Sequence, residues 1–98
     1  MINKKSIKKE LIASLDFDKI HKIMKTLNWN WIPDNKIPTH SKLVLQAEEL
    51  IDEVLDALEN GKEEYVVATG GFEVIGSKKE NYISIRFIAE EWNVYDLF

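Results

Sequence analysis

In "HKIMKTLNWNW" the residues His21, Lys25 and Asn28 recur at helical spacing. A step of about 100° per residue sets an imidazole, an ammonium and an amide along one flank of a helix. Trp29 and Trp31 follow at once. In an extended segment residues two apart point the same way, so two neighbouring indoles can stack a base or clamp a planar ligand. Further along, "TGGF" supplies Thr69, Gly70, Gly71 and Phe72, and Arg86 stands in "ISIRF". Glycines let backbone N–H groups approach a phosphate closely, and a guanidinium pairs with one. Together these residues describe a site for a small anionic, nucleotide-like ligand. A structural reading competes for the indoles: one or both can close the core where the helix ends. The expected division is Trp29 in the core and Trp31 partly exposed.

Catalysis has less to stand on. His21 and His40 are in no metal-binding spacing such as HExxH. Asp16 is explained as a helix cap, and Asp16 and Asp18, at alternate positions, do not face each other on a helix. No Ser sits in a nucleophile elbow, and "TGGF" lacks the Lys and the following helix of a phosphate loop. No acid, base and nucleophile assemble from the sequence, so a non-enzymatic protein without a cofactor is expected.

The elements that must position these residues can be read from periodicity. Asn3 is placed to cap a first helix, with Ile2 and Ile7 at staple spacing. Asp16 caps a second, in which Phe17, Ile20, Met24 and Leu27 form the inward face. The longest helix opens at Pro38 and Thr39 and stops at Asn60 and Gly61. Leu43, Ala47, Leu50, Val54 and Ala57 make its apolar stripe, widened by Val44, Ile51, Leu55 and Leu58. Glu48, Glu49, Asp52, Glu53, Asp56 and Glu59 make the opposite side, read as a solvated surface. After Gly61 the period becomes two. "EYVVAT", "FEVIG" and "NYISIRF" are rich in β-branched and aromatic residues, and "SKKEN" has turn chemistry. Gly70 and Gly71 fit a two-residue hairpin turn or a bulge in one bent strand; the turn is preferred. Ile83, Ile85 and Phe87 should pack on the helices, and Arg86 lies on the other face. The expected fold is α+β: two to three helices, then an antiparallel sheet of two to three strands, the helices on one face. The terminal "NVYDLF" is expected to dock, because its apolar side chains are costly to leave in water.

Composition bounds the function classes. A chain of 98 residues with 45% hydrophobic and 31% charged residues suits one folded domain, residues 1–98. Without cysteine it has neither disulfides nor thiolate metal sites. No run approaches the roughly 20 apolar residues of a membrane helix, and no signal peptide is evident. A net charge of −4 argues against nucleic acid as a partner. The charge is divided, with a balance of +4 over residues 1–25 and −8 over the rest, which could steer an anion toward the N-terminal half.

The segment "HKIMKTLNWNW", with "GGF" and "RFIAEEW" near the end, resembles a group of small bacteriophage and prophage proteins. The pattern H-K-x-M-x-x-L-x-W-x-W, G-G-F and R-F-x-x-E-E-W covers most of the chain. The resemblance implies a phage product in the cytoplasm of a bacterial host, acting against host defence by binding. The first expectation is sequestration of a nucleotide-like immune signal by His21, Lys25, Asn28, Trp31, Thr69, Gly70, Gly71, Phe72 and Arg86. The alternative is an inhibitor of a host defence protein, such as an anti-CRISPR, using the acidic helix or an exposed strand edge. A minor regulatory or virion-associated role is a third. Self-assembly into a homo-oligomer would cover apolar surface in any of them.

Overall fold

In the computed structural model, residues 3–28, 39–88 and 93–97 are described. The helices are α1 (Lys4–Ala13), α2 (Phe17–Asn28) and α3 (His40–Glu59). The strands β1 (Glu64–Thr69), β2 (Phe72–Ser77), β3 (Tyr82–Phe87) and β4 (Asn93–Asp96) form one antiparallel sheet in the order β1-β2-β3-β4. The α+β class and the packing of helices against the sheet are as expected, with one strand more than expected. That strand comes from the tail: Ile83 pairs with Tyr95 and Ser84 with Val94, so the segment docks by ladder hydrogen bonds and then buries Leu97. No helix among the described residues is long and apolar enough to cross a membrane.

The helix ends follow from local chemistry. Side-chain oxygens of Asn3, Asp16 and Thr39 accept the backbone N–H groups of Ser6, Lys19 and Lys42 at 3.1, 3.1 and 3.3 Å. Each satisfies a donor that the first helical turn leaves open. At the end of α3, Gly61 takes a φ of +106°. Its N–H then donates to the Leu58 carbonyl, and that of Lys62 to the Ala57 carbonyl, at 3.3 and 3.1 Å. This double bond around a left-handed glycine is the usual helix stop, and it turns the chain directly into β1. Ile2, the expected staple partner, lies outside the described residues.

One core joins these elements. It gathers Ile7 and Leu11 of α1, Phe17 and Ile20 of α2, Leu43 through Leu58 on the apolar stripe of α3, and Phe72, Val74, Ile83, Ile85 and Phe87 of the sheet. The alternation of β2 and β3 sends Phe72, Val74, Gly76, Ile83, Ile85 and Phe87 toward the helices. At Gly76 the approach is tightest: a Cβ there would stand 2.6 Å from Val54 Cγ1 and 2.8 Å from Leu58 Cδ1. The acidic side of α3 is more than a solvated surface. Lys4 pairs with Asp56 at 2.7 Å and Glu59 at 3.4 Å, and Lys8 with Asp52 at 3.2 Å, which ties α1 to α3. The hydrogen bond from Lys4 to Asp56 holds its ammonium above the ordinary lysine range. A raised pKa contributes below the unfolded value and is lost as pH rises through the folded one, so this pair leaves stability flat near neutrality.

Replacing Gly76 by Ala is expected to lower thermal stability by overpacking, about 1–3 kcal/mol. In a domain of this size that is a fall in melting temperature of roughly 4–8 °C per kcal/mol. Ala at the exposed Gly61, where a Cβ meets nothing within 4 Å, would show only the cost of its positive φ. A thermal melt of Gly76→Ala that matches the native chain would remove the close helix seat from this account.

Candidate functional site

Between β1 and β2, Gly70 and Gly71 take φ values of +60° and +93°. Thr69 faces Phe72 across them. This is the two-residue hairpin turn, whose twist matches that of the strands and whose positive φ values favour glycine. A Cβ on Gly70 would run into the side-chain amide of Gln46 on α3, and one on Gly71 would stand 2.7 Å from Phe87 Cε1. The turn therefore lies close to Gln46 of α3 and Phe87 of β3, with Thr69, Gly70 and Gly71 themselves exposed.

Next to it, Thr69, Gly71, Phe72 and Arg86 line one shallow depression with Ala68, Glu73 and Ile88, of about 370 Å³. Four of the expected site residues thus come together. Phe72 is only 1% exposed, and its ring meets Phe87 edge-on at 4.9 Å and Phe17 at 6.5 Å. Its side chain belongs to the core, and such an aromatic pair contributes about 0.5–1.5 kcal/mol beyond area burial. Arg86 points to the face away from the helices, where both Nε and one terminal nitrogen reach Glu73 Oε1 at 3.0 Å. The two residues are direct cross-strand neighbours, and both are part-buried. An anion at Arg86 would have to approach beside the Glu73 carboxylate.

The rest of the expected site is placed elsewhere. His21, partly buried, and Lys25, exposed, are on α2 and do not line this depression. Asn28 ends α2, and its side chain, like Trp29 and Trp31, lies outside the described residues. Gly70 is exposed beside Gln46 and does not line the depression. Sequence reasoning missed Glu73, although counting outward from the two turns pairs it with Arg86. It also missed Ile88, a β-branched residue at φ +42° whose N–H donates to the Gly71 carbonyl at 2.9 Å. Such a backbone is strained and is held here by the neighbouring turn.

A different kind of surface lies along β1. The strand is at the edge of the sheet, and none of its residues is buried. The Lys78 N–H donates to the Glu63 carbonyl at 2.8 Å. Antiparallel pairing alternates, so the odd residues 65, 67 and 69 bond to β2 and the even residues Glu64, Val66 and Ala68 turn their backbone groups outward. On the face away from the helices, Val66, Ile75, Ser84 and Val94 form a row across all four strands, with Val66 55% and Val94 61% exposed. A third surface is a cleft of about 460 Å³ between α1 and α3, where Lys5, Lys8 and Lys9 surround Ile12. Among the described residues no group of three or more His, Asp or Glu could hold a metal ion.

No protein-family model, curated protein or solved structure matches the chain.

The cross-strand pair is open to measurement. A double-mutant cycle of Glu73→Ala and Arg86→Ala, read by chemical denaturation, is expected to give a coupling of about 0.2–1 kcal/mol. Additive single effects would mean that the two side chains stand near each other without interacting.

Proposed function

We propose that this chain is a non-catalytic binding protein that masks a surface of another protein through the β1 side of its sheet. One observation carries the reading: β1 is a six-residue edge with no buried residue and an exposed Val66 at its centre. Soluble proteins usually blunt such edges with charged side chains, Pro, a bulge or brevity, and of these β1 has only the charge of Glu64 at its first position. At the opposite edge β4 has four residues and packs beside α1. An edge left open is the feature that strand-adding partners use. The resemblance to phage proteins would place the partner in a bacterial host, as a component of its defence machinery, and an anti-CRISPR type of inhibitor is one such role.

The second reading is sequestration of a nucleotide-like signal. In its favour, Thr69, Gly71, Phe72 and Arg86 line one depression. Against it, Phe72 is given to the core and Glu73 neutralises Arg86. A tight polar ligand needs an enclosing site with convergent groups, and His21 and Lys25 would have to reach this one from α2.

Two experiments separate them. Immobilised protein incubated with lysate from a bacterium carrying defence systems should retain one stoichiometric protein. Retention should weaken with Glu49→Lys and Glu53→Lys combined, neither of which is ion-paired among the described residues. In parallel, cyclic di- and trinucleotides are added during thermal melting. A ligand at 100 times its Kd would add about 2.7 kcal/mol of stability. A nucleotide shift of that size, lost in Arg86→Ala, with no protein retained, would replace masking by sequestration.

A further inference from the structure

We infer that the open edge of β1 takes an extended, basic segment of a partner protein as a fifth strand. This rests on the masking function above and names the chemistry of what is masked. The backbone part follows from the ladder. Glu64, Val66 and Ala68 each offer one outward N–H and one outward C=O, enough to register a short strand by main-chain bonds alone.

The side-chain part follows from what flanks that edge. On α3, Gln46, Glu53 and Ala57 are seven and four residues apart, and seven residues of helix return to within about 20° of the same line. Gln46 sits against Gly70, at the far end of β1. Since α3 turns into β1 at the Gly61 stop and Gln46 lies by the other end of that strand, helix geometry sets Glu53 and Ala57 on the Gln46 flank, between the two ends. Glu63 precedes the strand with the odd parity of the helix-facing residues, and Glu64 begins it on the other face. Glu53, Glu63 and Glu64 are all exposed, and none has a salt bridge or hydrogen-bond partner through its side chain among the described residues. Of the α1 lysines, Lys4 and Lys8 are paired with Asp52, Asp56 and Glu59, farther round the helix.

An incoming strand would therefore point alternate side chains at the acids of α3 and the others along the Val66–Ile75 row. The matching pattern is Lys or Arg at every second position, with β-branched residues between. A second copy of this chain fits poorly. Antiparallel pairing of two β1 strands about Val66 would bring the Glu53 flanks of both α3 helices together, and like charges at that distance repel.

The test uses the full chain and three peptides. The probe is acetyl-Thr-Lys-Val-Arg-Val-Lys-Val-Thr-amide. One control replaces its basic residues with Glu; the other has the same composition with basic and apolar residues in separate blocks. Titrations are followed by calorimetry and by amide hydrogen exchange. The probe should bind and slow exchange of the Glu64, Val66 and Ala68 amides at least tenfold, and neither control should. Val66→Pro removes one outward N–H without touching the β2 ladder, and should abolish binding. Should it unfold the chain, the surface variant Glu53→Lys with Glu63→Lys decides: affinity must fall at least tenfold at unchanged melting temperature. No binding of the probe, equal binding of either control, or binding indifferent to these variants overturns the inference. So does a β1 edge already protected by a concentration-dependent dimer. A retained lysate protein that shields other amides and leaves these three exchanging would sink strand addition while masking stands. If no protein is retained, masking fails, whatever the peptides do.

Discussion

The seat of α3 on the sheet at Gly76 is the constraint from which the rest of the structure follows. Val54 and Leu58 come so close there that no side chain fits between them, and that closeness sets how α3 lies across β1 and β2. Its broad apolar face then has two tasks. Val54 and Leu58 go to the sheet at Gly76, while Leu43, Ala47, Ile51 and Leu55 share one core with Ile7 and Leu11 of α1. A narrower stripe would serve only one layer, and a domain this small cannot leave a second helix without a buried face.

Placing all three helices on one face leaves two kinds of surface for binding: the far face of the sheet and its edges. The far face is mixed. Its central row sets the buried Ser84 among Val66, Ile75 and Val94, and Glu73 and Arg86 satisfy each other at one end. The edges differ because only one is shielded. The tail strand β4 lies beside α1, whose lysine pairs lock it to α3. The same lock draws Asp52, Asp56 and Glu59 out of the acidic surface. Among the described residues Glu48, Glu49 and Glu53 of α3 keep no ion pair, and neither do Glu63 and Glu64, which flank and begin β1.

Much of this was legible from residues alone, where local chemistry decides. Asn3, Asp16 and Thr39 are caps because their short oxygens reach the backbone three residues on. Gly61 ends α3 and Gly70-Gly71 turns the hairpin because each needs a positive φ. The strand β4 was not legible as a strand: "NVYD" has two apolar residues in four, below what periodicity resolves, and only pairing with Ile83 and Ser84 makes it one. The ion pairs of α1 with α3 were hidden for a related reason, since they join residues 44 to 55 positions apart.

Arg86 shows why the expected site was the hardest part to read. Its position on the outer face was correctly inferred from strand alternation, and an arginine there is a natural anion partner when viewed alone. Its availability to a ligand depends on the residue opposite, and that residue is set by register, one step removed from alternation. With Glu73 as neighbour, the local field is close to neutral, and an incoming phosphate must either displace a carboxylate or share the guanidinium with it. A protein strand faces no such competition at β1, because backbone groups at an edge are already turned to solvent and Glu53, Glu63 and Glu64 have no ion pair among the described residues. The sheet therefore offers a neutralised arginine on its face and uncommitted acids at its edge. That asymmetry is why the edge is the stronger candidate for a partner.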